Sequence, residues 1–225
     1  MGLVTAKEVA QAIHLQKYGF LGTFMGWMLM KVTKIATINR FYNKHKHLEG
    51  LDFLDAILDY YEIDFEIPEE DFRRLPKDGA YITISNHPLG GIDGVLLLKL
   101  LLQKREDFKI IANFLLHRVE PLAPYIMPVN PFENHRDVKS SVAGFKNAIA
   151  HLREGHPLGI FPAGEVSTYK DGKLIVDKPW EEAALKLIRK AEVPVVPIYF
   201  TDYRFWENRK LHRKTAFKFG FSDID

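Results

Sequence analysis

Apolar and polar positions follow two different periods along this chain. Apolar or alternating runs of roughly four to eight residues predict β-strands, and apolar positions spaced about three or four apart predict helices. Strands and helices alternate from residue 80 onward, so we expect an α/β fold with a mixed, largely parallel sheet flanked by helices. The predicted strands cover 63–67, 80–85, 108–113, 157–161 and 193–200, and the predicted helices cover 51–61, 94–105, 138–153 and 178–192.

The first 50 residues carry a different pattern. Residues 5–38 predict a helix that is broken or bent near Gly19, Gly22 and Gly26, with an apolar body edged by cations. The basic and aromatic stretch 40–47 follows it. This combination is typical of a segment that lies in a membrane interface, where Lys and Arg meet anionic headgroups and aromatic rings sit at the boundary. A helical hairpin packed on the domain fits the pattern equally well.

The apolar run at 20–30 is shorter than the roughly 18 to 20 residues that a membrane-spanning helix needs. We therefore predict an N-terminal helical, membrane-associating segment over 1–50 and an α/β domain over 51–225. Two further stretches, 68–79 and 121–137, are polar or rich in turn residues and predict connections.

Composition limits the chemistry that is open to the chain. The 225 residues, 47% of them hydrophobic, suit one domain with a full core. There is no cysteine, which excludes disulfides, thiolate metal sites and a Cys nucleophile and favours an intracellular location. The closely spaced His45 and His47 lie among lysines, so no metal site is expected. Nucleic acid is not an expected partner, because no recognised binding motif accompanies the net charge of +2.

One turn places a His and an Asp around glycines at the end of a predicted strand. In AYITISNHPLGGIDG (80–94), the bend at Gly90 and Gly91 allows His87 and Asp93 to meet. Asp93 also stands where a helix N-cap belongs, which needs no catalytic explanation. The functional alternative makes His87 a general base whose second ring nitrogen is held by the carboxylate. Since no nucleophile accompanies this pair, the activated hydroxyl would belong to a substrate.

A second turn, FPAGEVS (161–167), follows another predicted strand. Its backbone amides and the hydroxyl of Ser167 could bind phosphate or a developing oxyanion, and an ordinary Pro-Gly turn is the structural alternative. Ligand chemistry in α/β sheets gathers at the carboxyl ends of the strands, and both turns are predicted there.

At these residues the sequence resembles the glycerolipid acyltransferase family, typified by bacterial 1-acylglycerol-3-phosphate acyltransferases. SNHPLGGID (85–93), FPAGEVS and VPVVPIYF (193–200) match, in order, its Asn-His motif with a downstream Asp, its Phe-Pro-Glu-Gly-Thr-Arg-Ser type motif and its Val-Pro strand. The family usually has one residue fewer than the five between His87 and Asp93, and a Glu in place of Ala163.

The resemblance implies a set of site residues. His87 and Asp93 would be catalytic, and amides around Gly90–Gly91 or Gly164 would stabilise the oxyanion. The second motif of the family carries an Arg that usually grips a phosphate; MPVNPFENHRD (127–137) lacks its usual form and offers nearby cations instead. The implied substrate-binding residues are Asn86, Gly90, Gly91, Arg136, Lys139, Pro162, Gly164, Glu165 and Ser167.

The forms of the two turns resemble the branch that is associated with aminolipids such as ornithine or glycine lipids, whose members are sometimes labelled hemolysins. The resemblance implies transfer of a fatty acyl group from acyl carrier protein or acyl-CoA to the hydroxyl of a lysolipid, here a lyso-aminolipid. It implies no metal or redox cofactor, and a peripheral location on the cytoplasmic face of the inner membrane. The alternatives are a lysophosphatidic acid acyltransferase, an inactive lipid-binding module and an esterase that activates water.

Overall fold

The computed structural model describes residues 2–12, 14–129, 138–170, 174–201 and 215–220, with the backbone alone at 12, 16, 138–143, 169–170, 174–175, 201 and 215–220. Its helices are α1 (Ala6–Ala12), α2 (Gly19–Val32), α3 (Ile35–His45), α4 (Gly50–Tyr61), α5 (Glu69–Arg74), α6 (Gly91–Leu102), α7 (Val138–Arg153) and α8 (Glu182–Ala191). Its strands are β1 (Ile63–Glu66), β2 (Ile82–Ser85), β3 (Lys109–Asn113), β4 (Ile126–Val129), β5 (Leu158–Ile160), β6 (Thr168–Lys170), β7 (Leu174–Val176), β8 (Val195–Thr201) and β9 (Thr215–Gly220). Short 3₁₀ helices cover Gln16–Tyr18, Phe114–Arg118 and Glu120–Tyr125.

Among the described residues, seven strands form one sheet in the order β1-β9-β8-β2-β5-β3-β4, and β6 and β7 pair separately as a hairpin. Within the described residues, every neighbouring pair in the large sheet is parallel except β8 and β9. β2 lies in the centre, where Ile82 is in register with Leu158 on one side and Val195 on the other. The predicted α/β fold with a mixed, largely parallel sheet is therefore confirmed.

Helices cover both faces of the sheet and form two apolar cores. The first core holds α3, α4 and α6, whose buried residues include Phe53 and Leu97. The second core holds α7 and α8 through residues such as Leu152 and Leu187. Successive residues of a strand point to opposite faces, so in β3 Ile110 packs in the first core and Ile111 packs against the second.

Gly159 in β5 packs closely against neighbouring side chains. A Cβ at this position would lie 2.6 Å from Cζ of the fully buried Phe108 and 3.1 Å from Oγ1 of Thr83. We expect Gly159→Ala to lower the free energy of unfolding by about 1–3 kcal/mol, the usual cost of overpacking a core. Urea denaturation checks this against Gly94→Ala in α6, where a Cβ meets nothing within 4 Å. The control should gain up to about 1 kcal/mol from helix propensity, and equal stability of the two variants would contradict the prediction.

Several elements differ from the sequence prediction. The connection predicted at 68–79 contains α5, and the one predicted at 121–137 contains β4. α6 begins at Gly91 rather than at residue 94, and α8 begins at Glu182 rather than at residue 178. The hairpin β6–β7 and the strand β9 were not predicted.

The N-terminal segment forms separate helices rather than one bent helix. The chain has positive φ angles at His14 (58°), Gly19 (56°) and Lys34 (61°), which mark its turns. The predicted break at Gly19 is therefore confirmed. Gly22 and Gly26 lie inside α2, so the breaks predicted there are wrong.

Gly22 and Gly26 instead allow α2 to approach the preceding chain closely. A Cβ at Gly22 would lie 2.0 Å from the carbonyl oxygen of Leu15, and one at Gly26 would lie 2.3 Å from that of Ala6. These contacts need glycine, since a side chain would meet backbone atoms. α1 and α2 are therefore packed as a helical hairpin.

The hairpin is attached to the rest of the chain by polar contacts. Nη2 of Arg118 lies 2.8 Å from Oε1 of Glu8 in α1, and the N–H of Val4 donates to Oδ1 of Asn39 in α3 over 3.0 Å. The opposite side of α2 is exposed and strongly apolar: its exposed large side chains are Phe20, Leu21, Phe24, Met25, Trp27, Met28 and Val32. Over the part of the chain that the structure describes, no helix has the length and apolar character of a membrane span.

Candidate active site

The end of β2 is tied to β8 by the side-chain amide of Asn86. Its Nδ2 donates to the carbonyl oxygen of Phe200 over 3.0 Å, and its Oδ1 accepts the Phe200 N–H at 2.8 Å. These bonds fix the chain immediately before His87, at the carboxyl end of a central strand, where open α/β sheets bind ligands. The predicted substrate contact of Asn86 stays a prediction.

His87 and Asp93 meet in the turn that follows. Nδ1 of His87 lies 3.1 Å from Oδ2 of Asp93, and the same oxygen accepts the N–H of Leu89 at 2.7 Å. The His87 side chain is 18% exposed and that of Asp93 is fully buried. The imidazole can therefore meet a ligand while the carboxylate behind it cannot.

The turn places Asp93 inside the helix rather than at its N-cap. Gly90 is the N-cap, with φ 69° and ψ −126°, a conformation that only glycine adopts easily. Asp93 is the third residue of α6, and side chains of the first turn point back toward the N-terminus of the helix. The N-cap interpretation of Asp93 is therefore wrong, although its bond to Leu89 resembles one half of a capping box.

Burial sets the electrostatics of the pair. It raises the pKa of the Asp93 carboxyl above the ordinary 3.8, whereas the hydrogen bonds from His87 and Leu89 act in the opposite direction. The second carboxyl oxygen, Oδ1, is buried and has no hydrogen-bond partner among the described residues. The ionised carboxylate is thus costly in this place, and a protonated imidazole beside it would offset part of that cost.

The His87 ring also has an aromatic neighbour. It stacks on Phe161, with ring centroids 4.0 Å apart and an angle of 20° between the planes. Phe161 opens the FPAGEVS turn, so the two sequence motifs meet at this ring, as predicted for turns at one edge of the sheet. With Nδ1 directed at Asp93, Nε2 is the ring nitrogen left for a ligand.

The FPAGEVS turn has contacts that limit its predicted roles. The Gly164 N–H donates to the carbonyl oxygen of Phe161 over 2.9 Å, so this amide is engaged inside the turn rather than set toward an oxyanion. The carbonyl oxygen of Pro162 accepts the N–H of Glu181 at 2.8 Å. A Cβ at Gly90 would lie 3.2 Å from Cγ2 of Val166, which places this turn directly against the His87 turn.

Polar side chains of the same turn are also paired. Glu165 forms an ion pair with Lys178. The Ser167 hydroxyl donates to Asp177, and the Ser167 N–H donates to the carbonyl oxygen of His87 over 2.9 Å. The substrate-binding roles predicted for Glu165 and Ser167 stay predictions.

Asp177 is a residue that the sequence did not indicate. Its Oδ1 accepts the backbone N–H of His87 at 3.3 Å as well as the Ser167 hydroxyl. The two residues are 90 positions apart, and Asp177 follows the unpredicted hairpin β6–β7, so no local pattern could have found it.

For two of the remaining predicted site residues, the structure describes no side chain. Arg136 lies outside the described residues, and Lys139 is placed in α7 by its backbone alone. A Cβ at Gly91 would meet nothing within 4 Å, so there is open space at the start of α6. The amides of Gly91 and Ile92 belong to the first turn of the helix, where N–H groups have no intrahelical partner. In the described ranges, no group of three or more His, Asp or Glu side chains could hold a metal ion.

Known proteins resemble this chain over most of its length. It is 31% identical over 202 residues to the lyso-glycine lipid O-acyltransferase of Bacteroides thetaiotaomicron, and 29% identical over 201 residues to that of Phocaeicola vulgatus. Each alignment covers 88% of this chain, with 70% and 68% of the two relatives. The crystal structure of the 1-acyl-sn-glycerophosphate (LPA) acyltransferase PlsC from Thermotoga maritima gives a TM-score of 0.45 and 20% identity, over 86% of this chain and 81% of that one. The sequence model of the acyltransferase family matches residues 5–220, so this chain belongs to the acyltransferase family and is an acyltransferase, as its two motifs predicted.

Proposed function

We propose that this acyltransferase moves a fatty acyl group from a thioester, either acyl carrier protein or acyl-CoA, to the hydroxyl of a lyso-glycine lipid. The observation that carries the proposal is the contact between His87 and the buried Asp93 at the carboxyl edge of the sheet. The lipid class is supported by the names of the two relatives.

The geometry supports direct transfer. Asp93 holds Nδ1 and so favours the tautomer whose Nε2 carries a lone pair. Nε2 takes the proton of the acceptor hydroxyl while the hydroxyl oxygen attacks the thioester carbonyl, and a new C–O bond forms. The tetrahedral intermediate then collapses with cleavage of the C–S bond, and the imidazolium returns its proton to the departing thiolate. The products are an ester and a thiol.

Direct transfer fits the surroundings of His87. Ser167 is the hydroxyl-bearing residue of the neighbouring turn, but its hydroxyl donates to Asp177 and not to the imidazole. A covalent acyl-serine step would need a serine hydrogen-bonded to the base. The attacking oxygen is therefore assigned to the acceptor lipid.

The oxyanion is assigned to the first turn of α6. The amides of Gly91 and Ile92 lie at a helix N-terminus, where N–H groups and the helix dipole favour negative charge. Gly91, where a Cβ would meet nothing within 4 Å, leaves open space beside these amides. Arg136 and Lys139 remain the proposed cations for an anionic headgroup.

The acceptor is tested with the purified protein and labelled acyl carrier protein or acyl-CoA. Lyso-glycine lipid, lyso-ornithine lipid and lysophosphatidic acid are supplied in turn, and ester product is quantified. We expect kcat/KM for lyso-glycine lipid to exceed that for lysophosphatidic acid at least about tenfold, which corresponds to about 1.4 kcal/mol. Preference for lysophosphatidic acid would support phospholipid synthesis instead. Release of free fatty acid alone would favour an esterase, and no turnover at all would favour a lipid-binding module.

We also propose that α2 rests on the membrane surface and that the protein is peripheral, on the cytoplasmic face of the inner membrane. Phe20 is 88% exposed and Val32 is 78% exposed on the side of α2 that faces away from α1. Lys31 lies over the ring of Trp27 at 4.0 Å, so a cation accompanies the apolar face. An apolar face with cations and a Trp at its edge is typical of helices that lie in an interface.

The double variant Phe20→Ser/Val32→Ser is expected to bind vesicles containing anionic phosphatidylglycerol at least about tenfold more weakly. Each large apolar side chain contributes about 1.5–3 kcal/mol when it is fully buried. Vesicle co-sedimentation measures the binding. Tyr61→Ser is the matched control, because Tyr61 is also exposed but is the last residue of α4 and does not belong to the α1–α2 hairpin. Equal vesicle binding by the wild type, the double variant and Tyr61→Ser would contradict a role for α2 in membrane binding.

A further inference from the structure

The backbone of His87 is held from outside its own turn on both sides of the residue. On one side, its N–H donates to Oδ1 of Asp177 over 3.3 Å. On the other side, its carbonyl oxygen accepts the Ser167 N–H at 2.9 Å. The Ser167 hydroxyl donates to the same Asp177 oxygen, which closes a ring of hydrogen bonds through the three residues.

This ring connects the His87 turn to the hairpin of β6 and β7. Ser167 immediately precedes β6 and Asp177 immediately follows β7. The two ends of the hairpin therefore meet at one carboxylate, and that carboxylate meets the backbone of His87. Asp177 is half-buried, so water competes only partly for these bonds.

The turn needs such a restraint because its own sequence is permissive. Gly90 and Gly91 follow His87 closely, and glycine loses more conformational freedom on folding than any other residue. The imidazole must hold its contact with Asp93 and its stacking on Phe161 at the same time. A small rotation of the His87 backbone would break at least one of them and move Nε2.

We propose that Asp177 is a positioning residue, which fixes the backbone of His87 so that Nε2 meets the acceptor hydroxyl. This inference rests on the proposed role of His87 as the general base. Asp177 accepts two hydrogen bonds, one from the backbone N–H of His87 and one from the Ser167 hydroxyl, and neither comes from the imidazole. It therefore acts as an acceptor of fixed geometry, and a neutral side chain of the same shape can replace it.

The test compares Asp177→Ala with Asp177→Asn in the full chain, with lyso-glycine lipid and acyl thioester as substrates. Asp177→Ala is expected to lower kcat about 10- to 100-fold, since misplacing a catalytic group by about 1 Å can cost that much. KM for both substrates should change less than about threefold, because Asp177 does not hold the substrate. Asp177→Asn should restore kcat to within about threefold of the wild type, because the amide oxygen can accept the same two hydrogen bonds.

Asp55→Ala is the matched control. Asp55 also accepts a hydrogen bond, from Lys99 at 2.6 Å, but it lies in α4 on the helical layer of the first core. Its loss should lower the melting temperature without lowering kcat. If Asp177→Ala reduces kcat no more than this control does, the positioning role is wrong.

Two other results would also overturn the inference. If Asp177→Asn is as slow as Asp177→Ala, the negative charge matters and not the geometry. If Asp177→Ala raises KM while kcat is unchanged, Asp177 contacts the substrate.

Ser167→Ala tests the same ring of hydrogen bonds if Asp177→Ala fails to fold, and it should also lower kcat. Full activity of His87→Ala would instead reject the proposed function itself, so the two failures are distinguishable.

Discussion

Replacing His87 by alanine is expected to lower the rate of acyl transfer by about 10²–10⁴-fold, the usual contribution of a positioned general base. One ring nitrogen contacts Asp93 and the ring face lies on Phe161, so the imidazole has a defined orientation that leaves Nε2 for the proton of the acceptor. The measurement is the initial rate of ester formation at saturating acyl thioester. His87→Gln is measured beside it, since alanine removes the imidazole from the buried Asp93 and could affect folding.

A second His–Asp contact supplies the matched control. Nδ1 of His156 lies 2.6 Å from Oδ2 of Asp107, closer than the corresponding distance at His87. These residues precede β5 and β3, so they lie at the amino edge of the sheet, away from the ligand edge. The hydrogen bond from Arg105 lowers the pKa of Asp107 to about 2, as expected for a structural ion pair.

His156→Ala should therefore transfer acyl groups at a rate within about threefold of the wild type, although its melting temperature should fall because a partly buried hydrogen bond between His156 and Asp107 is lost. Both variants remove an imidazole that contacts a carboxylate. A difference between their rates of acyl transfer therefore depends on where the imidazole lies in the fold. Comparable loss of transfer in the two variants would remove His87 from the reaction. Undiminished transfer by His87→Ala would do the same.

The motifs were predictable because their information is local. SNHPLGGID combines the end of an apolar strand, a glycine bend and the start of an apolar helix within nine residues, and FPAGEVS is a Pro-Gly turn directly after another apolar strand. Alternation of strands and helices implies a parallel sheet, and a parallel sheet brings both turns to one edge. The contact of His87 with Asp93 follows from the glycine bend, and its stacking on Phe161 brings the two turns together at that edge.

Strands whose signal is weak, or whose partners are distant, were missed. β4 contains Pro128, which lowers the strand signal, and it is tolerated because β4 is the edge strand of the sheet. β9 inserts between β1 and β8, and its parallel partner β1 is distant in the sequence, since Thr215 is in register with Ile63. α5 lacks an apolar stripe but has Glu69 and Glu70 four residues before Arg73 and Arg74, a pairing that stabilises short helices.

The hydrogen bonds of Asp177 and Asn86 were also beyond local patterns. They join residues that are 90 and 114 positions apart. The bond of Asn86 depends on β2 and β8 being neighbours in the sheet, and that of Asp177 depends on where the β6–β7 hairpin ends. Sequence alone indicated which turns carry chemistry. It did not indicate which residues hold those turns in place.

Asp93→Asn is expected to lower acyl transfer by roughly 10²–10⁴-fold without loss of stability. Asparagine is neutral, so it stabilises an imidazolium less well, and its amide group can donate to Nδ1 and place the ring proton on Nε2. In that tautomer Nε2 cannot accept the acceptor's proton. Loss of the correct tautomer at a His–Asp pair is known to have effects of this order. Ester formation is measured as for His87.

The stability of the wild type should fall relative to that of Asp93→Asn as the pH rises. Burial raises the pKa of Asp93 in the folded protein above the ordinary 3.8, so the folded state binds this proton more tightly than the unfolded chain does. The contribution of Asp93 to stability is then fully present below pH 3.8 and is lost as pH rises through the folded-state pKa. Asn has no proton to lose, so the variant gains stability relative to the wild type as the pH rises.

Urea denaturation of both proteins at about pH 4 and about pH 7 measures this difference. The free energy of unfolding of Asp93→Asn minus that of the wild type should be larger at the higher pH. Burying a neutral amide costs less than burying an ionised carboxylate, whose Oδ1 has no partner among the described residues. A variant that is inactive yet at least as stable as the wild type at neutral pH would mean that Asp93 is kept for the reaction. A variant that unfolds more easily at neutral pH would show that the carboxylate serves the fold instead, as a structural support of the turn.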